Sequence, residues 1–142
     1  MINIGSLIKT SNRGIFSVSP STTVLDALRY MSEKNIGAVL VIDMGRLAGI
    51  FSERDYARKV VLLGRSSQDT PVRDIMTSRV VCVGPQRTVE ECMALMTDKR
   101  IRHLPVIEHG ELIGLLSIGD LVKEVISEQQ FLISQLESYI HH

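Results

Sequence analysis

The chain of 142 residues has no tryptophan, only three phenylalanines and three tyrosines, and an aromatic share of 4%. Its core must therefore be aliphatic. Charge of one sign is also missing: 16 Lys and Arg balance 16 Asp and Glu. That balance excludes the broad basic footprint of a general nucleic-acid binder. No apolar run approaches the roughly 20 residues that a bilayer-crossing helix needs. The opening MINIGSLIKTSNRG lacks the long apolar segment of a signal peptide. The two cysteines, Cys82 and Cys92, make neither a metal motif nor a disulfide framework. The few histidines have no metal-ligand spacing, and Cys82 has no evident base partner, so no catalytic centre is expected. A soluble, cytoplasmic protein without enzyme activity, metal or membrane insertion is the expectation.

What the chain has is a 44% hydrophobic share and a phrase written twice. GIFSERD at 49–55 returns as GLLSIGD at 114–120. Laying 15–61 over 80–126 needs no gap. It matches Val18 with Val83, Pro20 with Pro85, Gly45 with Gly110, Gly49 with Gly114, Ser52 with Ser117 and Asp55 with Asp120. Chance pairing of aliphatic segments does not place Pro, Gly, Ser and Asp together in register, so the chain is an internal duplication.

Each copy predicts strand, helix, strand, strand, helix. The first strands are IFSVS and VVCVG, ended by Pro20 and Pro85. Thr23-x-x-Asp26 and Thr88-x-x-Glu91 then fit helix capping boxes. Val24, Leu28 and Met31, and in the second copy Val89, Cys92, Met93 and Met96, recur at helical spacing as core residues. AVLVI and LPVI follow as strands, Gly45 and Gly110 supply hairpin turns, and LAGIF and LIGLL are the next strands. The expected organisation is a lead-in at 1–14, copies at 15–61 and 80–126, a linker with lead-in helix at 62–79, and a helical tail at 127–142. VRDIM is read as the lead-in of the second copy and IGSLI, at 4–8, as that of the first. The class is α/β (α+β), with two pseudo-symmetric β-α-β-β-α repeats packed through their sheets.

Ser52-x-x-Asp55 and Ser117-x-x-Asp120 admit two readings. Either pair can simply cap its closing helix. A helix start also favours phosphate, and a carboxylate one turn in can accept two hydrogen bonds from a ribose diol. Gly49 and Gly114 leave room for close backbone packing beside the junction.

Together, VRDIM, the Pro20 and Pro85 strand ends, RIRHLPVIE-HGELIGLLSIGDL at 100–121 and the looser NIGAVLVID-MGRLAGIFSERDY at 35–56 resemble a tandem pair of cystathionine beta-synthase (CBS) domains, a Bateman module. The first copy departs from the pattern by placing Gly37, Ala38 and Leu40 where the second has Arg102, His103 and Pro105. The resemblance implies adenosine-containing ligands in the cleft between the copies: AMP, another adenine nucleotide or NADH ahead of S-adenosylmethionine. It implies ribose contacts for Asp55 and Asp120, and places Ser52, Ser117, Ile118 and Gly119 near ribose or phosphate. Ile15, Ser17 and Val18, together with Val80, Cys82 and Val83, would flank adenine, as would Gly37, Ala38, Val39, His103 and Pro105. Arg54, Arg102 and His103 are the candidate phosphate contacts. The resemblance also implies a homodimer and signalling in trans to a client enzyme or transporter. The alternative is a protein-interaction module with vestigial nucleotide sites, for which the tail EQQFLISQLESYIHH offers apolar residues at helical spacing.

Overall fold

The computed structural model describes residues 2–11 and 14–141, apart from the side chains of Thr10 and Ser11. Met1, Asn12 and Arg13 of the expected lead-in and His142 of the expected tail lie outside the described residues. The chain divides into two compact units: residues 14–81, and residues 1–13 together with 82–142.

In the first unit, β1 (Ser17–Val18), α2 (Val24–Lys34), β2 (Ala38–Asp43) and β3 (Arg46–Ser52) lead into the short α3 (Glu53–Tyr56) and a π turn at Ala57–Val61. The sheet order is β1-β2-β3, with β1 parallel and β3 antiparallel to β2. Thr23 caps α2 by accepting the Asp26 amide, and Asn35 ends it in the left-handed region, where asparagine is tolerated. Met44 and Gly45 both have positive φ, the mark of the tight hairpin turn that matches strand twist. Val24, Ala27 and Met31 of α2 pack with Val39, Val41 and Phe51 of the sheet into one core, which is aliphatic as expected except for Phe51 and is flanked by Phe16 and Tyr30.

The second unit repeats this with α4 (Val89–Lys99), β4 (His103–Glu108), β5 (Glu111–Ser117) and α5 (Ile118–Ile140), and with the N-terminal α1 (Ile4–Ser11) added. Thr88 and Glu91 complete a reciprocal capping box. His109 and Gly110 make the same positive-φ hairpin, and both copies shift register at the same step, Val41/Ile42 and Val106/Ile107.

Two expectations need correction. The strand expected at VVCVG shrinks to a single parallel bridge, Val83 to Val106. The reason is Pro105. In the first copy the Leu40 amide donates to the Phe16 carbonyl and extends β1. Pro105 stands at the position of Leu40 and has no amide to donate.

The lead-ins are also exchanged. VRDIM serves the first unit: the Val72 and Arg73 amides donate to the Thr22 and Pro20 carbonyls, and Val72 and Ile75 join that unit's core. IGSLI serves the second: the Ile4 and Gly5 amides donate to Arg87 and Pro85, and Ile4 is fully buried. Each lead-in lies over a glycine. A Cβ on Gly49 would stand 2.7 Å from the Met76 sulfur and 2.8 Å from the Thr77 carbonyl oxygen, and one on Gly114 would stand 3.1 Å from Ile8 Cδ1.

Candidate functional site

Both Ser-x-x-Asp phrases are complete capping boxes. Ser52 Oγ accepts the Asp55 amide, while Asp55 Oδ2 accepts the Ser52 amide at 3.0 Å and its hydroxyl at 3.1 Å. Ser117 Oγ accepts the Asp120 amide, and Asp120 Oδ2 accepts the Ser117 amide at 2.8 Å. The local cause is the same in each: a strand ends at an extended serine and the helix's first amides need acceptors.

The remainder of each carboxylate's surroundings differs. Asp55 is buried, at 8% exposure. Its Oδ1 accepts the Thr77 hydroxyl at 3.2 Å and pairs with Lys59 Nζ at 3.2 Å. Lys59 in turn donates to the Ile75 carbonyl. Both Asp55 oxygens are thus engaged, Oδ2 in the cap of α3 and Oδ1 in tying that helix to the lead-in. Sequence reasoning missed Lys59 and Thr77. Lys59 was within reach, one helical turn beyond Asp55, whereas Thr77 is brought there only by the fold.

Asp120 is half-buried. One turn beyond it, where the first copy has Lys59, stands Glu124. Counting by the lead-in hydrogen bonds, where Ile4 corresponds to Val72, the place of Thr77 falls to Lys9, which is exposed. Pairing of β4 with β5 sets His103 opposite Ser117, and the Ile118 amide donates to the Arg102 carbonyl at 2.8 Å. Arg102, His103, Ser117, Ile118 and Asp120 are thereby gathered at the start of α5, with Arg102 and Gly119 exposed. Burial lowers the His103 pKa, and Arg102 lowers it further, against the pull of the Asp120 charge in the other direction. Val83 and Pro105 are buried, with Val83 across β4 from β5. Val80 and Cys82 are half-buried, and burial pushes the Cys82 thiol up, away from the reactive thiolate.

In the first unit the corresponding residues are placed differently. Ala38 and Val39 are spent in the core, while Gly37, Ser17 and Val18 are half-buried and Ile15 and Arg54 are exposed. A groove of about 370 Å³ opens beside Leu28, Met31, Asn35, Ile36, Gly37 and Glu53, and of the expected contacts only Gly37 lines it. Among the described residues, no group of three or more His, Cys, Asp or Glu side chains could hold a metal ion, and no helix is long and apolar enough to cross a membrane.

Comparison with known proteins agrees with this arrangement of duplicated junctions. The family profile described as CBS domain matches residues 4–62 and 72–127. A mitochondrial CBS domain-containing protein of Arabidopsis thaliana is 46% identical over 123 residues, which cover 83% of this chain and 60% of that protein. The chain thus spans less than two thirds of that relative's length. The CBS domain-containing protein YhcV of Bacillus subtilis is 32% identical over 89% of both chains. Among solved structures, a protein with CBS domains from Burkholderia ambifaria superposes with a TM-score of 0.86 at 53% identity, covering 89% of this chain and 96% of that one.

Proposed function

This chain belongs to the CBS-domain family as a tandem pair, a regulatory and non-catalytic module, and from that premise we propose that it senses an adenine nucleotide through its second copy, with Asp120 as the ribose-binding carboxylate. The observation that carries the reading is the contrast between the two aspartates. Asp55 spends both oxygens on its own unit, whereas the residue one turn beyond Asp120 is an acid in place of the lysine. The start of α5 adds to this. The first turn of α5 presents its amide end to phosphate. Arg102 and His103 stand beside that end and favour a phosphorylated ligand. AMP, ADP, ATP or NAD(H) therefore rank above S-adenosylmethionine, which has no phosphate. The signal is read out through conformation or homodimer geometry by a client protein.

Asp120→Asn tests the assignment, because asparagine keeps an oxygen for the Ser117 amide and so retains the cap. Calorimetry with AMP, ATP, NADH, S-adenosylmethionine and GMP is the measurement. AMP affinity should fall roughly tenfold to a hundredfold, the worth of about 1 to 3 kcal/mol of hydrogen bonding, while Asp55→Asn leaves it unchanged in the folded protein. Normal AMP binding by Asp120→Asn would remove Asp120 from the site. Absence of heat or competition with every adenine compound would remove nucleotide sensing altogether.

A further inference from the structure

The family match ends at residue 127, yet α5 continues as helix to Ile140. At its start the helix is held by its own unit, where Leu121 is fully buried. Beyond that it carries three seven-residue series: Val122, Gln129 and Leu136; Val125, Leu132 and Tyr139; Ile126, Ile133 and Ile140. On a helix these fall on one stripe, with the first two series alternating at three- and four-residue spacing, the pattern of a coiled-coil seam. Seven of the stripe's apolar side chains are exposed in the single chain, from 40% at Val122 to 82% at Tyr139. Phe131 lies off the stripe. A helical end of this length is marginal by itself in water, and packing of its apolar face is what would hold it.

We propose that the stripe at 122–140 pairs in parallel and in register with the same stripe of a second copy, an association separate from any dimerisation through the repeats. Charge argues against two other occupants. No lysine or arginine follows Lys123, so the helix end has nothing to offer an anionic membrane or a nucleic acid. Glu128 and Glu137 are the acids in the tail itself, and they fall outside the seam, leaving little repulsion between two copies. Gln129 selects the register. It is the one polar residue of the stripe, and parallel pairing sets it against its own amide partner rather than against leucine. Area agrees as well: a specific interface buries about 800 Å² on each partner, and seven large, mostly bare side chains are of that order.

The full-length Leu136→Cys variant tests this under mild oxidation, with peptide mapping of the disulfide formed. A link between two copies of position 136 is expected. A link from 136 to Cys82, or none, overturns the proposal, because it places the helix end on its own repeat or nowhere. Hydrogen exchange gives a second reading. Amides 128–140 should exchange roughly tenfold faster in Leu132→Glu, or on dilution of the wild-type chain, while β4 and β5 keep their protection. Protection independent of concentration overturns the proposal, as does retention of the wild-type chain on phosphatidylcholine vesicles that is lost in Leu132→Glu.

Discussion

Ser52–Asp55 and Ser117–Asp120 occupy equivalent places in two copies of one fold and make the same capping box. Around Asp55 the chain adds Lys59 one turn on and Thr77 from the lead-in. Around Asp120 it places Glu124, with His103 within reach of the aspartate's charge. Asp55 is a structural tie, and where its lysine stands the second copy has an acid. Duplication supplies two candidate sites, but side chains outside the repeated phrase decide what each does.

The sharpest way to break this contrast is to remove each carboxylate in turn. Asp55→Ala loses the cap, the Thr77 bond and the Lys59 pair, and urea unfolding should show a loss of about 2 to 3 kcal/mol. Asp120→Ala should lose at least the cap, about 1 kcal/mol. Asp55→Ala measured again in a Thr77→Val, Lys59→Met background should lose only about 1 kcal/mol, and an undiminished loss would mean that Thr77 and Lys59 contribute nothing at Asp55. The two glycines under the lead-ins give the next effect. Gly49→Ala meets the backbone oxygen of Thr77, which cannot yield, and should cost about 1 to 3 kcal/mol. Gly114→Ala meets the Ile8 side chain at 3.1 to 3.3 Å, a looser approach with no backbone atom in it, so thermal melts should show a smaller shift.

Glu124→Lys sharpens the comparison by giving Asp120 the neighbour that Asp55 has. The new lysine should compete for the carboxylate, reducing AMP affinity roughly twofold to fivefold and adding about 0.3 to 0.5 kcal/mol of stability. Unchanged affinity in calorimetry would show that the next-turn residue does not distinguish the copies. The smallest effect is one of pH. Burial lowers the His103 pKa below its ordinary value of 6.5, so the unfolded chain takes up its proton first as pH falls. His103 therefore contributes fully above 6.5 and loses its contribution as pH drops from there through the lowered value. Denaturation series should show a shallower decline across that window for His103→Asn, where the first copy has the non-titrating Ala38.

Much of this was legible because it is local. Capping boxes, helix stripes and the Gly45 and Gly110 turns depend on residues three or four apart, and two copies doubled every signal. The weak first strand of the second copy was also present in the sequence, in the single missing amide of Pro105, but its meaning required knowing which carbonyl that amide would have faced. Lys59 lay equally near Asp55 and went unread, because repeat alignment draws attention to what the copies share, while the sites differ in what they do not.

The amino-acid order alone determined the duplication, the element types, the turns and the serine–aspartate caps, since each rests on short-range geometry. It could not assign the lead-ins: IGSLI and VRDIM are both short apolar segments, and both copies present the same proline turn and the same glycine slot. Only folding put VRDIM on residues 14–81 and IGSLI on residues 82–142. That placement brought Thr77 across 22 residues of sequence to Asp55. A hydrogen bond of that span is set by packing of distant segments, which is why the tie between Thr77 and Asp55 emerges only in three dimensions.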